Sequence, residues 1–365
     1  MSDALSPVLV VGGCGFVGQH IISELLRQDP SAAISVLDLY DRTNANPHPS
    51  VTYYSADITK ESEVKAVFEK AKPRTVFHTV SPHPLQASHD TLYRVNLKGT
   101  QNLLWYAREV GAVAFIYTSS ASVVHDHRTP LHDVTEAAPV LYQQHQPEYY
   151  SYTKAVAETL VLGENRSGGM LTVSIRPATI YGEHDLLMTA KLCLNAKKAR
   201  YQFGNTRSLM DVTYAGNLAH AEILAAKALV AASSSSSALP LEERVEGEAF
   251  FVRNDERYEF WEVNRMAAKI AGHPVQKGDV KVIPLWFMMG FAWLSEWLVW
   301  GLTLGRKQPL LTTRVVRLTT IDRTFSIDKI KARLGYHPRF TTEEGMERAV
   351  GWYMREVWGG KSKTL

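Results

Sequence analysis

Val10-Val11-Gly12-Gly13-Cys14-Gly15-Phe16-Val17-Gly18 is the stretch whose reading decides the fold. It closes a β-branched apolar run that begins at Pro7, and it opens residues 16–27, where apolar positions recur at helical spacing. Its glycines fit two registers, Gly13-x-Gly15-x-x-Gly18 and Gly12-x-x-Gly15-x-x-Gly18. A strand, a turn without β-carbons and a helix N-terminus together make a cradle for a pyrophosphate. The backbone can approach closely, and N–H groups and the helix dipole face the anion. Alone, such a turn is also the way an ordinary strand meets a helix, so its surroundings have to decide.

Five further apolar runs, residues 34–39, 51–56, 75–80, 114–119 and 171–177, alternate with helical patterns at residues 61–71, 92–110 and 149–164. This alternation predicts an α/β protein, a Rossmann-type doubly wound parallel sheet, over residues 1–180. Residues 181–365 then read as a smaller, mostly helical C-terminal substrate-binding region, with one strand expected at residues 248–254 and a flexible serine-rich loop within residues 231–248.

Asp38 ends the second run roughly 20 residues beyond Gly18, where a carboxylate accepts hydrogen bonds from the adenosine ribose and repels a 2′-phosphate. NAD is therefore expected over NADP, with Arg42 the one nearby residue that could soften the choice. Asp57 and Ile58 follow the third run. Asp57 reads equally well as a border of the adenine and as an acid near a helix start, before Thr59 and Glu61.

Composition sets broad limits. With 365 residues, 45% of them hydrophobic and 21% charged, the chain falls in the globular range. The net charge of +3 comes without a dense basic run, so no nucleic-acid partner is expected. Only Cys14 and Cys193 occur, and neither is expected in a disulfide. The first residues do not read as a secretory signal.

Tyr150 and Lys154 stand four apart in a helical segment, on one face and one turn from each other. A phenol is a poor base near neutral pH, but an adjacent ammonium and a positive nicotinamide favour the phenolate, which can take an alcohol proton. Lys154 would also bind the nicotinamide ribose. Ser120, at the carboxyl end of the fifth run, would hold the reacting oxygen. Each residue also has a plain reading, as a solvated helix face for the pair and a turn serine for Ser120.

These motifs, with Asn96-Leu97-Lys98-Gly99-Thr100 and Arg176-Pro177-Ala178-Thr179-Ile180-Tyr181-Gly182, stand in the order found in the extended short-chain dehydrogenase/reductases. The chain resembles the 3β-hydroxysteroid dehydrogenase branch of that superfamily, and within it the fungal decarboxylating dehydrogenases of sterol 4α-carboxylates. Leu209 to Asn217, Gly247 to Phe251 and Leu294 to Trp297 carry that likeness. The resemblance implies NAD-dependent oxidation of a 3β-hydroxyl, a sterol or terpenoid substrate, and loss of CO₂ from a 4α-carboxylate. It also implies that Asn96 helps hold a water relay behind the lysine and that Pro177 and Ile180 line the nicotinamide. The chain departs from the pattern at Gly182-Glu183-His184-Asp185, a loop expected on the substrate side. An alcohol dehydrogenase that does not decarboxylate, a nucleotide-sugar epimerase or dehydratase, and an NAD-sensing binding protein are the alternatives, the last disfavoured by an intact Tyr150 and Lys154.

Residues 285–304 form an apolar stretch whose only charge is Glu296. Trp286, Trp293, Trp297 and Trp300 fall in one stripe of a helix, whereas a spanning helix gathers tryptophan at its ends. The stripe suits a helix lying in a membrane interface, with Lys281, Arg306 and Lys307 near for anionic lipid, or a buried substrate-lining helix. The family resemblance favours the membrane, implying a peripheral or monotopic protein on the cytosolic side of the endoplasmic reticulum, with a homodimer as an open option. His125, His127, His132 and Asp133 lack closed metal-ligand spacing and read as a solvated loop, so no metal is expected.

Overall fold

Short runs of valine, isoleucine, leucine and phenylalanine with no alternating polar face belong in a sheet covered on both sides. The computed structural model, which describes residues 5–39, 46–84, 86–205, 207–234, 240–304, 309 and 311–359, puts them there. Strands β1 (Val8–Val11), β2 (Ile34–Asp38), β3 (Val51–Ser55), β4 (Thr75–His78), β5 (Ala114–Thr118), β6 (Leu171–Pro177) and β7 (Ala249–Val252) form one sheet in the order β3-β2-β1-β4-β5-β6-β7. Every pairing in it is parallel.

Neighbouring residues of β1 feed two separate cores. Val8 and Val10 pack with Ile21, Ile22 and Leu25 of helix α1 (Phe16–Gln28), while Leu9 and Val11 pack with Val64 and Phe68 of α2 (Glu61–Ala71) and with Leu103 of α3 (Thr100–Glu109). Helix α4 (Tyr149–Gly163) lies on the second face and α5 (Ala215–Ser233) on the first. Burial on both faces is what requires the helices. The chain leaves β1 toward β2 on one side and β4 on the other, so a crevice opens at the carboxyl ends of β1 and β4, where ligands bind in such sheets.

Three expectations are revised. The strand expected in the second region joins the central sheet as β7, because its buried Phe250 and Phe251 complete the core beside β6. The helical pattern at residues 92–110 is three pieces, His89–Tyr93, a π-turn at Arg94–Gly99, and α3. The four tryptophans of the helix Leu285–Thr303 do share one exposed stripe, but Phe287, Phe291, Leu294, Leu298 and Leu302 widen it, so that exposed apolar side chains cover roughly 200° of its circumference. Only Met288 and Ala292 are fully buried in it, and Glu296 turns inward to accept hydrogen bonds from Thr313 N and Oγ1 at 2.9 and 3.2 Å. Arg42, Arg306 and Lys307 lie outside the described residues.

A four-stranded sheet, Tyr258–Glu259, Leu209–Met210, Arg323–Phe325 and Leu131–Val134, covers the carboxyl end of β6. It brings four distant stretches of chain to one place.

Candidate active site

The glycine turn is built where side chains have no room. Gly12 has φ +85°, and a β-carbon there would lie 2.8 Å from Thr79 Oγ1. At Gly18 it would lie 2.2 Å from the Gly12 carbonyl oxygen, and at Gly13 2.6 Å from Val36 Cγ1. Gly15 stands at the N-cap of α1 with no side-chain cap, so the first amides of that helix are presented at the crevice. The backbone N–H of Cys14 donates to Asp38 Oδ2 at 2.9 Å, tying the turn to the end of β2. Val17 packs on the core and the Phe16 ring stands edge-on to His20. A cradle that added β-carbons would fill, with an acid at its β2 edge, fits a dinucleotide with two ribose hydroxyls.

Of the outlying cofactor candidates, Asp57 turns to its own loop and accepts from Thr59 N and Oγ1 at 2.9 and 2.8 Å. The Ile58 side chain is buried against Gly99. Pro177 ends β6 and lines the cavity that holds Ser120, whereas Ile180 lies in the short strand Thr179–Tyr181 and packs on the first core.

Helix α4 brings Tyr150 and Lys154 to the crevice and buries its polar face. Ser151, Thr153, Lys154 and Glu158 are each at most 2% exposed. Tyr150 is bonded to Ser81, which donates to Asn96 Oδ1 at 3.2 Å, and Asn96 Nδ2 donates to Thr153 Oγ1 at 2.9 Å. The π-turn sets Asn96 at this spot, and the Asn96 carbonyl accepts from Thr100 Oγ1 at 2.6 Å. Ser120 is tied to α4 through Ser122, whose Oγ lies 2.9 Å from Ser120 Oγ and accepts from Ser151 Oγ at 2.9 Å.

Lys154 departs from expectation. Its Nζ donates to the Thr118 carbonyl at 2.5 Å and lies 4.3 Å from the centre of the Tyr117 ring. Burial pulls its pKa down to about 7, opposed by Glu158 and Glu222. The Tyr150 phenol is pushed up by burial, with the Ser81 bond the opposing influence, so the expected acidifying effect of Lys154 is not expressed in this geometry. Beneath the pair, Arg176 grips Glu158 through Nε and Nη2 at 3.0 and 2.5 Å, and Ser174 donates to the same carboxylate at 2.8 Å.

Beyond Ser120 lies a cavity of about 110 Å³, bounded also by Ser122, His125, His127, Asp211 and Arg323. The solvated-loop expectation fails for two histidines. His125 is 3% exposed, and both ring nitrogens of His127 are buried without a partner. Burial lowers their pKa values to about 4 and about 3, so both are neutral imidazoles. No group of three or more His, Cys, Asp or Glu side chains among the described residues is arranged to hold a metal ion. Arg323 reaches the Leu318 carbonyl at 3.4 Å, its Nε is buried without a partner, and among the described residues no carboxylate lies within 4.0 Å of it. Burial lowers its pKa to about 10, leaving it cationic at neutral pH. Asp211 is already committed, 3.3 Å from Arg253 Nε and accepting from Phe325 N at 2.7 Å.

The loop at Glu183, expected on the substrate side, is not among the residues that line this cavity. Its carboxylate accepts from Tyr214 OH at 2.8 Å and its carbonyl lies 3.2 Å from His20 Nε2 on α1. Ser81, Thr153, Ser122, Arg323 and Glu222 were not singled out by sequence reasoning. Only Glu222 left a signal, as a lone acid in an alanine-rich helix.

A family model described as the 3-beta hydroxysteroid dehydrogenase/isomerase family matches residues 9–282. The chain is 34% identical to 3beta-hydroxysteroid-dehydrogenase/decarboxylase isoform 1 of Arabidopsis thaliana, over 94% of this chain and 78% of that protein. It is 32% identical to the decarboxylating sterol-4-alpha-carboxylate 3-dehydrogenase of Saccharomyces cerevisiae, over 95% of this chain and 98% of that protein. Among solved structures, UDP-glucose 4-epimerase of Thermus thermophilus in complex with NAD superposes with a TM-score of 0.67 at 22% identity, covering 96% of this chain and 99% of that one, and so shares the fold. The chain belongs to the 3-beta hydroxysteroid dehydrogenase/isomerase family.

Proposed function

We propose that the protein oxidises the 3β-hydroxyl of a sterol-like 4α-carboxylate with NAD⁺ and that the resulting 3-keto acid loses CO₂. Arg323 carries the substrate half of this reading. A cationic guanidinium with no carboxylate partner among the described residues, in the cavity that holds Ser120, supplies the charge complement of a carboxylate next to the reacting alcohol.

The residues divide the work. Ser120 holds the alcohol oxygen, and Tyr150 takes its proton as the C–H bond breaks. Lys154, released from the Thr118 carbonyl, binds the nicotinamide ribose and lowers the Tyr150 pKa. Ser81 and Asn96 fix the phenol. Gly12 to Gly18 would hold the pyrophosphate and Asp38 the adenosine ribose of the dinucleotide, which would supply the hydride acceptor when bound. Once the 3-ketone exists, the C4–carboxylate bond breaks as its electron pair moves into an enolate, and a proton returns to carbon. Residues 1–180 thus supply the cofactor site, the base and one wall of the substrate cavity, and residues 181–365 close that cavity with Met210, Asp211, Arg323 and Phe325.

We also propose that the helix Leu285–Thr303 docks the protein on a membrane. Its outward side is apolar, with Trp286 76% and Leu302 84% exposed, and its polar Glu296 faces the protein. Exposed apolar surface of this extent marks a lipid or partner contact. At about 1.5 Å per residue the helix is long enough to cross a bilayer. The strand Lys281–Ile283 before it nevertheless pairs with Tyr201–Phe203, and the helix Thr313–Leu318 packs on it through Val316 against Met288 and Ala292 and through Thr313 on Glu296, which supports lying in the interface over crossing. The cytosolic face of the endoplasmic reticulum suits a sterol-metabolising enzyme of this kind.

Incubating the purified protein with NAD⁺ and a 4α-carboxysterol should release NADH and CO₂ in equal amounts. NADH without CO₂ would reduce the reading to a simple alcohol dehydrogenase, and neither product would sink it.

A further inference from the structure

A carboxylate sits at zero exposure behind the catalytic lysine, and the chemistry above gives it no part. Glu222, on α5, accepts from Thr118 Oγ1 at 2.6 Å, and its second oxygen is buried without a partner. The carbonyl of the same Thr118 accepts from Lys154 Nζ at 2.5 Å. One threonine at the end of β5 therefore joins an acid on one face of the sheet to an amine on the other. We propose that Glu222 is a positioning residue that keeps Lys154 in its ammonium form, a role that rests on the reading of Lys154 given above.

The neighbours of Lys154 single out this acid. Glu158, one turn along α4, is held by Arg176 and Ser174, so its charge is largely balanced. Tyr117 presents its ring to the ammonium, and burial pushes its phenol well up, leaving it neutral. His78 is held near pKa 3 by burial and by Lys154 itself, so it is neutral too. Tyr150 is an uncharged phenol until it meets substrate. On α5, His220 is lowered to about 4 by burial and is likewise neutral. Glu222 has no arginine or lysine salt bridge among the described residues, and Lys154 is the cation that acts on it.

A buried amine without a counter-charge sheds its proton, and a buried acid without a cation gains one. Burial moves Lys154 down and Glu222 up, each to about 7, and each acts to restore the other's charge. Removing the Glu222 charge removes an influence that raises the Lys154 pKa, so the lysine must become neutral at lower pH. A neutral lysine can still bond a ribose hydroxyl but cannot stabilise a phenolate.

The test uses Glu222→Gln and Glu222→Asp in the full chain. In cofactor-free protein labelled with ¹³C-lysine, the Lys154 Cε titration midpoint should fall by about one pH unit or more in E222Q and by less in E222D. With NAD⁺ and sterol substrate at pH 7.5, kcat should fall about tenfold in E222Q while KM for NAD⁺ stays within about twofold, and E222D should recover part of the loss. Should E222Q fail to fold, Thr118→Val takes its place. It removes the bond that keeps Glu222 ionised and should move Lys154 the same way. An unmoved Lys154 midpoint, or equal kcat losses in E222Q and E222D, would overturn the proposal. Tyr150→Phe separates the two readings. If Y150F is inactive while E222Q leaves Lys154 unmoved, only the role of Glu222 falls, whereas an active Y150F removes the reading of Lys154 on which it rests.

Discussion

Two helices of this molecule invert the usual partition of residues in opposite directions. Helix α4 hides a serine, a threonine, a lysine and a glutamate at 2% exposure or less. The helix Leu285–Thr303 turns most of its tryptophans, phenylalanines and leucines outward. Buried polar groups are costly unless paired, and α4 pairs nearly all of its own: Ser151 with Ser122, Thr153 with Asn96, Lys154 with Thr118, and Glu158 with Arg176. Exposed apolar surface is costly in water, and among the described residues little covers that of the Leu285–Thr303 helix. The difference teaches what each helix still lacks: α4 finds its polar partners inside the protein, whereas the described residues leave the apolar face of the other uncovered, the face proposed above to meet lipid.

The largest effect is expected at α4. Tyr150→Phe keeps the ring and deletes only the group that takes the alcohol proton, so kcat should fall by about 10³-fold or more with NAD⁺ affinity nearly unchanged. Stopped-flow NADH formation and a fluorescence titration check the two halves, and turnover within tenfold of wild type would end the assignment. Arg323→Leu comes next. It removes the charge proposed to meet the substrate carboxylate and should cost about 100-fold in kcat/KM on a 4α-carboxysterol, consistent with roughly 3 kcal/mol for a lost charged contact. The same variant should lose little on a 3β-hydroxysterol without the carboxylate. Equal losses on both substrates would mean that Arg323 supports the cavity wall and does not read the carboxylate.

The two inversions were not equally legible in the sequence. Gly12 to Gly18 could be read because the turn works through missing side chains, and Tyr150 with Lys154 because helix periodicity alone puts them together. Arg323 was opaque. It lines the same cavity as Ser120 only because the strand Arg323–Phe325 inserts between Leu209–Met210 and Leu131–Val134, a pairing that no local pattern encodes. The orientation of Lys154 was opaque for a similar reason, since Thr118 and Tyr117 come from the neighbouring strand. The tryptophan spacing was legible but incomplete. Four tryptophans mark one stripe, while the phenylalanines and leucines that widen it count as ordinary core residues until packing leaves them outside.

The smallest effect, and the one that sharpens the comparison most, concerns that outward surface. Trp293→Ser combined with Trp297→Ser removes two side chains that are 59% and 64% exposed and changes no residue of the active site. Removing an exposed side chain leaves little cavity behind, so the melting temperature should hold within a few degrees. If the helix docks on lipid, the partition coefficient onto vesicles of phosphatidylcholine and phosphatidylserine should fall about tenfold, since tryptophan is suited to the interface. Turnover of a detergent-dispersed sterol should stay near wild type. Were the surface a contact for a second copy of the chain, the variant would instead change the sedimentation coefficient and leave vesicle binding alone. Were the helix packed against the protein in solution, the variant would lose stability and not partition. Each outcome assigns the exposed apolar face a different partner, and only the first leaves it as the lipid-facing counterpart of the buried polar face of α4.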